Sequence, residues 1–159
     1  MRIVGVLPFL LLFASCAAAP PVRSFLVGDG VLQHFMAPTN WSARDSRVRL
    51  DITYRTRTDN PAIINISFFG SSGTPQTISA VSLHGAGVEY HLENISVLLT
   101  RPGENELRIT STGDRDALID LLNSEAITLR AEIDGITFIH TPERNFDRSR
   151  TRFLDALSF

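Results

Sequence analysis

Residues 47–55 read Arg-Val-Arg-Leu-Asp-Ile-Thr-Tyr-Arg, apolar at every second position. A period of two is the signature of a strand with one buried face, because successive side chains point to opposite sides of a sheet. Val48, Leu50, Ile52 and Tyr54 would face a core, and Arg47, Arg49, Asp51, Thr53 and Arg55 would face away from it. The alternation recurs in residues 62–69 through Ile64, Ile66 and Phe68, and in residues 126–133 through Ile127, Leu129, Ala131 and Ile133. Half-polar strands of this kind belong to antiparallel sheets, since parallel sheets are buried on both faces and read as continuous apolar runs.

Turn chemistry divides the strands. Asp134-Gly135 is a strong two-residue hairpin signal, leading into a return strand over Ile136, Phe138 and His140. His84-Gly85-Ala86-Gly87 reads as a glycine turn between strands at 77–83 and 88–99, and a short strand follows at 107–110. Residues 24–36 hold two apolar pieces around Gly28-Asp29-Gly30, a turn or bulge. Residues 37–46 are polar and contain Pro38 and Asn40, which predicts a loop anchored by Trp41.

Two segments change period. Leu118, Leu121 and Leu122 are spaced i, i+3, i+4 behind Asp114, a good N-cap, which predicts a short helix near 114–123. Phe146, Phe153, Leu154 and Leu157 fall on one stripe of a second helix near 145–158. The expected fold is mainly β within an α+β class: an antiparallel sheet or sandwich of about 7–9 short strands with two short helices. Residues 24–159 would form a single β-rich domain. The helix, hairpin and closing helix of 114–157 resemble C-terminal segments of several exported bacterial envelope proteins, a likeness of pattern that implies no activity.

The chain has one cysteine, Cys16, so no disulfide within the chain is available and the fold must rest on packing. Cys16 ends an N-terminal segment built like an export signal: Arg2, an apolar run over 3–14, then Ser15, Cys16, Ala17, Ala18 and Ala19. That run is too short to span a bilayer as a mature helix. Two processing routes are open. Cleavage after Ala18 or Ala19 fits a general signal peptidase, although cleavage after Ala19 would leave Pro20 at the new terminus. Alternatively, Phe13-Ala14-Ser15-Cys16 resembles the lipobox of bacterial lipoproteins, in a relaxed, spirochaete-like form with Phe13 at the usual leucine position. That resemblance implies a signal peptide over 1–15, a lipidated Cys16, and a short tether over 16–23 rich in Ala and Pro. Several acyl chains on one residue give stable anchoring where a single chain does not. It further implies attachment to the bacterial cell envelope, facing the periplasm or the exterior. Ala17 and Ala18 carry no inner-membrane retention signal, which favours the outer membrane. Residues 40–42, 65–67 and 94–96 spell Asn-x-Ser, chance matches in a bacterial lipoprotein.

Charge bounds the partners. The formal net charge is −2, and all 15 Lys/Arg positions are arginine. No basic block marks a nucleic-acid binder. Arginine's planar fork suits carboxylates and phosphates, although exclusive use of Arg also follows from codon bias. Arg47, Arg49 and Arg55 on one strand, and Arg144, Arg148 and Arg152 at helical spacing, are the candidate contacts for an anion or a partner. The strand arginines would also serve as solvated, aggregation-blocking residues of an edge strand. His84 and His91 flank one turn and are the only candidate metal pair, without a recognised ligand motif. No catalytic set and no cofactor motif is legible. The expectation is a lipid-anchored, non-catalytic binding or scaffolding module with an envelope protein partner. The alternative is a small envelope hydrolase or ligand-carrying lipoprotein using a cavity between sheet and helices.

Overall fold

The computed structural model describes residues 20–56, 59–70 and 73–158. The export-signal residues and Cys16 lie outside the described residues. Ten strands and two helices follow in the order β1 (Val22–Leu26), β2 (Leu32–Ser42), β3 (Ser46–Arg55), β4 (Ala62–Gly70), β5 (Ile78–Gly85), β6 (Val88–His91), β7 (Glu93–Arg101), β8 (Glu106–Gly113), α1 (Arg115–Asn123), β9 (Thr128–Ile133), β10 (Ile136–Pro142) and α2 (Asn145–Leu157). The fold is mainly antiparallel β with two helices, as the alternation implied, with ten strands where about seven to nine were expected. Val22 and Arg23, placed in the tether by sequence, are the first two residues of β1.

The sheet runs β6-β5-β9-β10-β2-β3-β4-β8-β7, with β1 paired to β2. Its two end strands, β6 and β7, are consecutive in the chain with only Leu92 between them, so the sheet is a nearly closed barrel. β3 pairs on both sides, with β2 and with β4, and is therefore an interior strand. This corrects the edge-strand role for its arginines: the alternation shows which face a residue takes but not where the strand sits in the sheet.

A second correction concerns residues 37–46, read as a loop because of Pro38. Most of that segment belongs to β2. One edge of β2 pairs with β3 throughout, while the other is shared by β1 at Leu32–Met36 and by β10 at Trp41 and Ser42. Pro38 falls between those two partners, where the register shifts between Met36 and Thr39. A residue without an N–H is tolerated at such a bulge because no ladder bond is required of it. Trp41 is the anchor expected: it is fully buried, donates through Nε1 to Thr39 Oγ1 at 3.1 Å, and meets Phe146 of α2 edge-on at 4.7 Å between ring centres.

The core is lined by the predicted inward faces, including Leu50, Ile52, Ile64, Ile66 and Phe68 from the long strands. The helices close it. Asp114 caps α1 by accepting from the Ala117 amide at 2.7 Å, which leaves Leu118, Leu121 and Leu122 buried. α2 buries Phe146 and Phe153, with Leu154 and Leu157 packed at the margin. Each fully buried side chain of this size contributes roughly 1.5–3 kcal/mol.

Candidate functional site

The β5–β6 hairpin decides the fate of the two candidate histidines. Its register sets His84 opposite Glu89 and His91 opposite Ser82, so all four side chains share one face. His84 Nε2 lies 3.6 Å, and His91 Nε2 3.4 Å, from the same Glu89 oxygen. Sequence spacing therefore brought the pair onto one face, with Glu89 between them as the residue it missed. Ser82 Oγ lies 2.7 Å from His84 Nε2, the same ring nitrogen that faces Glu89. A nucleophile relay needs serine and carboxylate on opposite ring nitrogens, so this cluster is not arranged as one. Among the described residues, no group of three or more His, Cys, Asp or Glu is placed to hold a metal ion.

His34 and His140 are buried on core-facing positions. His34 bonds Ser24 Oγ through Nδ1 at 2.9 Å, and burial lowers its pKa. His140 is fully buried, bonds Ser46 Oγ through Nε2 at 3.0 Å, and has no hydrogen-bond partner for Nδ1 among the described residues. Burial pushes its pKa down from 6.5 to about 4, with the backbone of Leu129, its cross-strand neighbour, pulling weakly the other way.

The strand arginines are held in place. Arg47 and Arg49 flank the ring of Phe69 on β4, at 5.1 and 5.3 Å from its centre, and Arg55 Nε donates to Gln33 Oε1 on β2 at 2.8 Å. Between them sits a network that sequence reasoning missed. Asp51, 1% exposed although on the outer face, accepts from Asn65 Nδ2 at 2.7 Å and from Arg108 Nη2 at 2.5 Å. Arg108 also donates to Ser67 Oγ at 2.9 Å. The one available signal was an acid alone in a row of Arg and Thr, and its partners come from strands far away in sequence.

Two of the open clefts carry charged side chains in their walls. The larger, about 670 Å³, is lined by Asp59, Glu93, Asp114, Arg115 and Asp116. Tyr90 is buried close by, packed against Gly113, with no partner for its hydroxyl among the described residues. Burial raises the Tyr90 pKa far above its usual value, and Asp114 and Glu93 add to the effect.

The second cleft, about 490 Å³, lies where the chain enters the fold, between Pro20, Pro21 and Pro38 on one side and Arg148 and Arg152 of α2 on the other. Arg144, Arg148 and Arg152 are exposed and form no ion pair among the described residues. Arg150 differs: it donates to the Ser124 carbonyl at 2.6 Å and pairs with Asp147 at 3.4 Å. The structure thus divides the arginines at 144–152 into one that fastens the helix, Arg150, and three that are free of acidic partners among the described residues.

Exposed apolar side chains gather in three places: Phe25, Leu26, Val27 and Leu32 at the β1–β2 tip, Val97 and Leu98 on β7, and Ile136 and Ile139 on β10. No helix among the described residues is long and apolar enough to cross a membrane. No family model matches the chain, and neither a curated protein nor a solved structure does.

Proposed function

We propose that this chain is a lipid-anchored bacterial envelope protein, fastened through Cys16, whose β-rich domain is a non-catalytic binding or scaffolding module for another envelope protein. The observation that carries the reading is the closeness of the candidate anchor to the fold. β1 begins at Val22, so only residues 17–21 separate Cys16 from the sheet. Such a segment spans at most about 18 Å when extended, which holds the domain at the membrane rather than on a long leash. The partner surface is β7, which ends the sheet, pairs with β8 alone among the described strands, and exposes Val97 and Leu98. An end strand of this kind accepts an added strand from a partner. Favouring a binding module over a hydrolase or ligand carrier is the packing between sheet and helices, which Leu118, Leu121, Leu122, Phe146 and Phe153 fill.

Metabolic labelling with radioactive palmitate tests the anchor. The wild-type chain should incorporate label and the Cys16→Ala variant should not. Equal labelling of the two contradicts the proposal.

A further inference from the structure

Cys16 is four residues from Pro20, and Pro20 lines the same cleft as Arg148 and Arg152. Four extended residues reach no further than about 14 Å. A diacylglyceryl group on Cys16 would therefore hold this face of α2 within reach of the headgroup layer, which is about 5–8 Å deep on each side of the hydrocarbon. The face is suited to that position. Arg144, Arg148 and Arg152 repeat every fourth residue along one side of the helix, and no acid among the described residues pairs with them. Asp155 shares their stripe and lowers the local charge by one, while Asp147 is taken by Arg150. Two or more uncompensated guanidinium groups remain, each with the fork geometry that binds phosphate oxygens.

We propose that the Arg148–Arg152 face of α2, beside the emerging tether, is a docking surface for the anionic phospholipid headgroups of the membrane that holds the anchor. This inference rests on the lipid-anchor reading for its geometry. The contact orients the domain: α2 lies against the bilayer, and β7, on the far side of the sheet order from β1, is presented to partners.

The test uses the chain purified from its membranes with its N-terminal modification and reconstituted into protein-free vesicles. A Thr151→Cys substitution supplies an exposed site on α2 for an environment-sensitive fluorophore. Vesicles contain either phosphatidylcholine alone or phosphatidylcholine with about one-third phosphatidylglycerol. The emission should shift to the blue only in the anionic vesicles. The shift should disappear in the Arg148→Gln/Arg152→Gln variant. It should also disappear on raising salt from about 0.1 M to 1 M, where the screening length drops from about 10 Å to about 3 Å. Emission that is the same in both lipids, or a shift that survives the double substitution, overturns the inference.

Flotation separates this from failure of the anchor. Flotation with both vesicle types sustains the anchor whatever the fluorophore reports. If the chain floats only with anionic vesicles, the anchor reading falls and the headgroup contact stands. In that case each arginine removed should weaken binding about five-fold, the equivalent of ~1 kcal/mol per basic residue at the surface. Flotation with neither overturns both.

Discussion

His140 shows how far a single side chain departs from its reading in the sequence. In the alternation of β10 it simply shares a face with Ile136 and Phe138, yet Ile136 is exposed while His140 is buried beside Ser46, which gives it a pKa of about 4 in place of 6.5. The folded state therefore keeps the ring neutral where the unfolded chain would protonate it. Between pH 6.5 and about 4 the unfolded chain binds more protons, so stability is complete above pH 6.5 and falls as the pH drops through that window. At about 1.4 kcal/mol per unit, on the order of 2 kcal/mol should be lost by pH 5. His34, shifted in the same direction by burial, adds to the loss. Urea unfolding at pH 7 and pH 5 measures it, and His140→Gln should reduce the difference. A wild-type stability that is unchanged between those pH values contradicts this account. The arginines carry the same lesson. Arg150 and Arg152 are alike in sequence, yet one is bonded to the Ser124 carbonyl and the other lines a cleft. The Asp51–Arg108 pair was not legible either, because residues 57 apart meet only after β3, β4 and β8 have paired.

Elements were legible where their signals are local. Asp114 and the leucines behind it defined α1, and Asp134-Gly135 defined the β9–β10 hairpin. In that turn both residues have positive φ, +49° and +79°, the combination that fits the twist of the two strands. The Asp134 carboxylate also accepts from the Thr77 amide at 2.8 Å and the Gln76 amide at 3.1 Å, tying the turn to the segment before β5. Those bonds, led by the one from the Thr77 backbone, hold its pKa below the usual carboxylate value. Gly135→Ala places a side chain in a left-handed conformation and should cost about 1–2 kcal/mol, read as a lower urea midpoint with an unchanged slope. No loss would mean that the turn relaxes without strain. β2 was not legible for the opposite reason. Pro38 argues against a strand unless it is known that β1 and β10 share one edge and leave a gap between them.

At the scale of the whole molecule, the alternation carried the fold class but not the strand order. Residues 47–55 show which side chains turn inward, and nothing local says that β3 lies between β2 and β4 or that β5 lies beside β9. The same division applies to the site. Local spacing placed His84 with His91 and aligned Arg144, Arg148 and Arg152. The meeting of Arg148 and Arg152 with Pro20 depends on β1 joining β2, which itself packs against α2. One arrangement links both ends of the described chain: Pro20 and Pro21, which follow the proposed anchor in sequence, line one cleft with Arg148 and Arg152 of α2. The measurement that tests it most directly is mass spectrometry of the N-terminus of the mature protein extracted from its membranes. The account predicts a chain that begins at Cys16 and carries a diacylglyceryl thioether. A mature chain beginning after Ala18 or Ala19, or one with an unmodified Cys16, contradicts it.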